Sequence, residues 1–193
     1  GKLPKEELLY NHILQEILYE KDLAGKKVLI TAGPTCEPVD PVRIYTNRSS
    51  GKMGYSLAKE CSLRGADVTL VTGKTALESW PFVKVVPIET AQQMFEEVTS
   101  RAPEMDIIIK AAAVADYRPK TVADEKIKKS DGEFVLEFER TQDILKYLGE
   151  HKPDGQFLCG FSMETENMLE NSRSKLSKKN ADMIVANNLK VQG

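Results

Sequence analysis

Short apolar runs alternate along this chain with longer stretches whose apolar positions recur every three or four residues. The first pattern predicts buried strands and the second amphipathic helices. Strands are predicted at Val28–Thr31, Val68–Thr72, Val83–Pro87, Asp106–Ala113, Gln156–Phe161 and Ala181–Ala186. Helices are predicted after Thr46–Gly54 to about Arg64, over Thr90–Arg101, over Asp143–Gly149 and over Glu164–Asn180. Gly65 suits the position just past a helix end. Ser49 or Ser50 suits the cap of the first helix, and Thr90 that of the second. Met94, Phe95 and Val98 form one inward stripe, and Met168, Leu169 and Leu176 another. Phe134–Phe138 alternates and is expected to pair with Lys126–Lys128 around Ser130-Asp131-Gly132. The stretch from the first strand to Tyr45 reads as irregular.

This βαβαβ rhythm predicts an α/β fold: a Rossmann-like, doubly wound, mostly parallel sheet with a β-hairpin arm. Residues 27–193 make that domain. Residues 1–26 read as an N-terminal helical linker, with Leu8, Leu9, Ile13, Ile17 and Leu18 at helical spacing. Such a lead-in can pack on its own domain, on a partner subunit or on a second domain. The chain stops soon after its last strand, which reads as a C-terminal truncation.

Composition narrows the function. The chain is 41% hydrophobic and 29% charged, as soluble globular domains are. A net charge of -2 leaves no global basic field for nucleic acid or a membrane surface, so any anion site must be local. No apolar run approaches the roughly 18 residues of a membrane span. Cys36, Cys61 and Cys159 are widely spaced and odd in number, which points to reduced thiols and a cytoplasmic location. His12 and His151 are the only histidines, and both are expected at the surface, so neither a histidine metal site nor a histidine triad is expected.

Candidate chemistry clusters after the strands. Thr31-Ala32-Gly33-Pro34-Thr35 stands where a dinucleotide fold has its phosphate loop, but it is not GxGxxG, and Pro34 removes a donor. It reads as either a ligand loop or a tight turn. Ser49, Ser50, Gly51 and Lys52 combine hydroxyls, glycine and an amine at a helix start, which makes either a phosphate loop or an ordinary cap. Asp116 follows the strand Asp106–Ala113, where a carboxylate can hold ribose, base or metal, and Ala111, Ala112 and Ala113 leave room for a ligand against the backbone. Lys126, Lys128 and Lys129 are either a charge brought to a phosphate or the guards of an exposed edge. Lys175 and Lys179 share a helix face and either meet a triphosphate or are solvated. Gln142-Asp143-Ile144-Leu145 begins a helix, a second possible phosphate seat. Phe161 ends a strand, as a core ring or as a ring stacked on a base.

Taken in order, ITAGPT, TNRSSGKMG, KAAAVADYRP, EKIKK, GFSMET and KKNADMIVANN resemble bacterial phosphopantothenoylcysteine synthetase over about residues 26–188. In many bacteria this family forms the C-terminal half of a bifunctional coenzyme A biosynthesis protein, behind a flavin-dependent decarboxylase. The lead-in is similar to the linker between the halves. The resemblance implies a ligase that uses CTP, with Mg²⁺, to turn the carboxylate of 4′-phosphopantothenate into an acyl-cytidylate. The amine of L-cysteine then captures the acyl group. It implies roles for Asn47 on the intermediate and in its capture, and for Lys126 as the catalytic CTP-binding lysine. Ala112 and Ala113 are implied to make backbone contacts to the intermediate. Asp116, Phe161, Lys175, Lys179 and the helix start Gln142, Asp143, Ile144 and Leu145 are implied to bind CTP. Gln142 departs from the pattern, where the family usually has proline. Metal ligands stay unassigned. The family also forms homodimers in which the segment around 126–138 reaches the partner's site.

Two other classes compete. An NAD(P)-dependent reductase would share the sheet, but GxGxxG is missing, as is a Tyr-x-x-x-Lys pair after the fourth strand: Tyr117 and Lys120 are only three apart. A non-catalytic nucleotide-binding module would need neither Asn47 nor Lys126.

Overall fold

The six predicted apolar runs become six parallel strands of one sheet. The computed structural model describes residues 3–129, 133–164 and 168–188. In chain order it contains α1 (Glu6–Ile17), β1 (Lys27–Ala32), β2 (Cys36–Pro38), β3 (Ile44–Thr46), α2 (Lys52–Leu63), β4 (Asp67–Thr72) and β5 (Lys84–Pro87). There follow α3 (Ala91–Arg101), β6 (Ile107–Lys110), β7 (Tyr117–Pro119), β8 (Phe138–Arg140), α4 (Ile144–Glu150), β9 (Phe157–Glu164), α5 (Met168–Lys178) and β10 (Met183–Asn188). The large sheet runs β10-β9-β6-β1-β4-β5, with every pairing parallel. Counting only its six strands, that is the 3-2-1-4-5-6 order of doubly wound dinucleotide folds read from the other edge.

β1 shows why the sheet is covered on both sides. Successive strand residues point to opposite faces. Val28, Ile30 and Ala32 join a cluster with Ala58 and Cys61 of α2. Leu29 joins the other cluster, with Met94 and Val98 of α3 and Ile144 and Leu148 of α4. All four β1 residues have no exposed surface, as a central parallel strand requires.

Helix starts follow local chemistry. Thr90 and Gln93 form a reciprocal capping box at α3. The buried carboxylate of Glu37 accepts a further α3 amide, that of Ala91, at 2.8 Å. The serines before α2 act differently from expectation. Gly51 rather than a serine is the N-cap residue, in the left-handed region at φ 77°, and it makes no side-chain cap bond. The Ser49 hydroxyl accepts from the Gly51 amide at 3.3 Å within the loop, and the Ser50 hydroxyl from the amide of Lys52, the first residue of α2, at 3.4 Å.

Four further expectations are corrected. The stretch after β1 is not wholly irregular, because β2 and β3 pair antiparallel. The strand expected at Asp106–Ala113 ends at Lys110, and Ala113 makes only a bridge to Pro34. Leu169 is 67% exposed rather than inward, and Leu176 is half-buried; the Met168 side chain lies outside the described residues. The antiparallel arm exists, but with another partner. β8 pairs with β7, Tyr117 opposite Arg140, whereas the described residues 126–129 and 133–137 form no strand, and the turn 130–132 lies outside the described residues. Ring packing favours this pairing, since Phe138 meets Tyr45 of β3 edge-on with centroids 5.0 Å apart.

The N-terminal segment packs on its own domain. Gln15 donates to the Ser62 carbonyl at 2.7 Å and accepts from the Trp80 indole at 2.9 Å. Lys21 donates to the Leu63 carbonyl at 2.7 Å, and Asp22 pairs with Arg64. His12 packs edge-on against Phe82, yet both it and His151 are exposed, as expected.

Backbone crowding at the exit of β1 sets a stability test. A Cβ added to Gly73 would lie 1.7 Å from the Pro34 carbonyl oxygen, so backbone itself must move. Gly73→Ala is expected to destabilise the fold by about 3 kcal/mol, read as a lowered urea midpoint with the m-value unchanged.

Candidate functional site

The exit of β6 is laced to the exit of β1. Buried Thr31 and Thr35 accept the amides of Ala112 and Ala115, at 3.1 and 2.9 Å, through their hydroxyls. Ala113 donates its amide to the Gly33 carbonyl at 2.9 Å. Its own carbonyl accepts from the Thr35 amide at 3.2 Å and from Asn47 Nδ2 at 3.2 Å. The chain then turns into β7, and β8 brings it back. Thr141 closes the return by donating its hydroxyl to the Ala115 carbonyl at 2.6 Å and its amide to the Asp116 carbonyl at 3.0 Å.

This path encloses a cavity of about 430 Å³ beyond β6 and beside β9. It lies next to the reversal of strand order between β1 and β6, where doubly wound sheets bind ligands. Lys110, Ala112, Val114, Asp116 and Tyr117 line it from the β6 side, Arg140 to Leu145 from the arm and α4, and Phe161, Lys175 and Lys179 from β9 and α5. α4 fits so close because β9 carries Gly160 beneath it; a Cβ there would come within 2.7 Å of Leu145.

Four cationic side chains face two carboxylates in this space. Asp143 caps α4, accepting the Lys146 amide at 2.9 Å, and takes the Lys179 ammonium at 2.6 Å. Its partial burial pushes its pKa up. The Lys179 hydrogen bond, the Lys146 amide and the charges of Lys179 and Lys110 outweigh that and hold it below the ordinary carboxylate range. Lys175 donates to the Phe161 carbonyl at 3.1 Å. Burial pushes the Lys110 amine down to about 8, with the Lys175 charge adding to the fall and Asp143 and Asp116 opposing it.

The cavity therefore gathers Ala112, Asp116, Gln142, Asp143, Ile144, Leu145, Phe161, Lys175 and Lys179 from four separate stretches. Ile144 and Leu145 are buried, and they support the wall with their side chains. Phe161 lies within β9 rather than at its end. Asn47 and Ala113 are not on the cavity wall but are joined to each other by their hydrogen bond. Ser49, Ser50 and Gly51 stay with the α2 cap, while Lys52 lines a different groove, between α1, α2 and Trp80. Lys126 is exposed and makes no hydrogen bond or ion pair among the described residues. Its neighbour is fixed, however. Ile127 donates its amide to the buried Asp40 carboxylate at 3.1 Å, and its carbonyl accepts from Arg43 at 3.2 Å.

Sequence reasoning passed over Lys110, Arg140 and Thr141. A lysine ending the run Ile107-Ile108-Ile109 was a usable signal, because a charge at the exit of a central strand has to face either solvent or a site. Arg140 and Thr141 became visible only with the β7–β8 pairing. Among the described residues no three His, Cys, Asp or Glu side chains cluster as metal ligands, and Asp116 and Asp143 are the only carboxylates on the cavity wall. The donor set does not fit a resident metal ion.

The fold and the cavity define a doubly wound α/β domain with an anion-receptive site at its switch point. The chain belongs to the DNA/pantothenate metabolism flavoprotein C-terminal domain family, which matches residues 23–193. It is 50% identical to the coenzyme A biosynthesis bifunctional protein CoaBC of Bacillus subtilis (strain 168), over 100% of this chain and 48% of that protein. The chain thus spans about half the length of this relative. The crystal structure of the C-terminal domain of a CoaBC protein superposes with a TM-score of 0.77 at 52% identity, covering 86% of this chain and 79% of that one. A Cab2 variant in complex with phosphopantothenate-cysteine shares the fold, with a TM-score of 0.77 over 98% of this chain and 82% of that one, at 19% identity. No helix among the described residues is long and apolar enough to cross a membrane.

The Asp143 pairing predicts an acid response. Its folded pKa lies below the unfolded value of 3.8, so it stabilises the fold above that pH and ceases to as pH falls through the folded value. Asp143→Asn is expected to lower the urea midpoint at pH 6. The gap to the parent should close as the pH drops below about 4, in a denaturation series across that range.

Proposed function

We propose that this domain is a phosphopantothenate–cysteine ligase of coenzyme A biosynthesis that works through CTP. One observation carries the reading: nine residues implied by the family resemblance, from four stretches of chain, converge on a single cavity at the switch point. The likeness to coenzyme A biosynthesis proteins supports the pathway. The phosphopantothenate-cysteine held by a protein of the same fold supports the product class.

In this reaction a carboxylate oxygen of 4′-phosphopantothenate bonds to the α-phosphorus of CTP while the bond to the β-phosphate breaks and pyrophosphate leaves. The amine of L-cysteine then forms a bond to the acyl carbon, loses a proton, and CMP departs. The carboxylate must be activated because an oxide ion is not a viable leaving group at neutral pH, whereas CMP is. The protein's task is to position the reactants and to meet developing negative charge.

Lys175, Lys179 and Arg140 supply cationic walls for the nucleotide, and Asp116 an acceptor for its sugar or base. Asn47, held by the Ala113 carbonyl, keeps its amide beside the backbone that would contact the acyl group. Lys126 is carried on the segment between β7 and β8, which Asp40 and Arg43 pin beside it at Ile127, and its side chain reaches the phosphates on ligand binding or across a homodimer. Mg²⁺ enters as the companion of the triphosphate. In the full protein a flavin-dependent decarboxylase half takes up the product, in the cytoplasm.

Pyrophosphate release with CTP, 4′-phosphopantothenate and cysteine tests the proposal; its absence, together with binding of NAD(P), would favour a reductase. Lys126→Gln is expected to lower pyrophosphate release by at least about 100-fold with unchanged thermal unfolding. Asn47→Asp is expected to let the acyl-cytidylate accumulate while its capture by cysteine slows. Failure of the first half-reaction in that variant would refute the role given to Asn47.

A further inference from the structure

The strongest feature without a role is Lys110. It is the last residue of β6, it lines the cavity, and its amine makes no hydrogen bond or ion pair among the described residues. The other lysines on the wall are engaged, Lys179 by Asp143 and Lys175 by the Phe161 carbonyl. An ammonium has three donors and costs several kcal/mol to bury unsatisfied. Lys110 is half-buried and faces the cavity without a protein acceptor, so its donors are open to an acceptor that arrives with a ligand.

The titratable and charged groups around it come from five places in the fold. Asp116 stands on the loop after β6, Tyr117 on β7, Arg140 on β8, Asp143 at the cap of α4, and Lys175 and Lys179 on and just past α5. Asp143 attracts both Lys179 and Lys110, Asp116 attracts Lys110, and Lys175 repels the Lys110 charge. An incoming anion would relieve that repulsion and meet the free donors.

We propose that Lys110 binds an anionic oxygen of the nucleotide's phosphate chain and takes up a proton from solvent as it does so. This rests on the nucleotide reading of the cavity and extends it to a residue that reading does not use. The amine, held near 8 in the free protein, returns towards its ordinary value of 10.5 once the anion is bound, so nucleotide binding weakens as pH rises above about 8.

Isothermal titration at pH 8.5 in buffers of different ionisation enthalpy is the test, with CTP, cytidine and inorganic tripolyphosphate as probes. The parent protein is expected to take up roughly three quarters of a proton per CTP. Lys110→Met should weaken CTP and tripolyphosphate at least tenfold, leave cytidine within twofold and abolish the uptake. Lys110→Arg, permanently charged, should keep the affinity and lose the uptake. CTP binding by Lys110→Met with parental affinity and parental uptake would overturn the proposal, as would an equal loss for cytidine, which would make Lys110 a base contact. If CTP fails to bind and yields no pyrophosphate, the ligase reading falls. Lys110 is then judged on tripolyphosphate alone, where unchanged binding by Lys110→Met would overturn it too.

Discussion

Close backbone packing at the exit of β1 is the constraint on which the rest of this domain depends. Gly33, Pro34, Gly73 and Ala113 meet with almost no side chain between them. Gly73 leaves no room for a Cβ against the Pro34 carbonyl, and across the β1–β6 gap Ala113 donates its amide to the Gly33 carbonyl while its own carbonyl accepts from the Thr35 amide. Gly54 of α2 repeats the theme, since a Cβ there would fall 2.5 Å from that of Ala32. The three strand exits β1, β4 and β6 are therefore held in one fixed relation. A glycine-rich dinucleotide loop uses such closeness to admit a pyrophosphate. Here Pro34 and Gly73 fill the corresponding space with protein, and the ligand cavity opens one strand over, beyond β6.

That displacement explains the arrangement of the arm. Once β6 ends at Lys110, the chain cannot continue the sheet, because residues 112–115 are tied sideways to Thr31, Gly33 and Thr35. It turns out into β7 and returns as β8. Thr141, bonded to Ala115 and Asp116, sets the return so that Asp143 starts α4 over the cavity mouth. Gly160 under Leu145 lets that helix approach β9. The cavity is thus a consequence of backbone bonding, and its charged side chains project from elements that are already fixed.

Much of this was legible in the residues. The six apolar strands and the capped α3 follow from local periodicity and from Thr90 and Gln93, whose information is carried within a few residues. The sheet is consistent with an uninterrupted βαβ rhythm. The failures share a cause. The pairing of β7 with β8 comes with a contact between Phe138 and Tyr45, 93 residues apart in the chain, which local alternation cannot signal. Alternation in Phe134–Phe138 looked the same whichever strand it would join. Serines before α2 looked like N-cap residues, but Gly51 took that position in the left-handed region, leaving Ser49 bonded within the loop and Ser50 to the first helical amide. The site residues divide in the same way. Those near the strand exits and the α4 cap were marked by type and place. Arg140 and Thr141 depend on the arm, and Lys110 was hidden as the polar end of an apolar run.

The charge pattern of the cavity shows how such a site survives without its ligand. Four cations confined in a space this small would repel one another strongly at the reduced dielectric of a partly buried site. Asp143 answers two of them, holding Lys179 at 2.6 Å and attracting Lys110, while also capping α4. Arg140 lies over the ring of Tyr117, 5.9 Å from its centroid, which spreads its charge onto an aromatic face. Lys175 rests on a backbone carbonyl. Lys110 alone among the four has no such partner, and shedding its proton is the remaining way for it to lower its charge. The charges on the wall are thus largely answered by the protein itself, and Lys110 is the one of the four cations whose amine has no hydrogen-bonding or aromatic partner among the described residues.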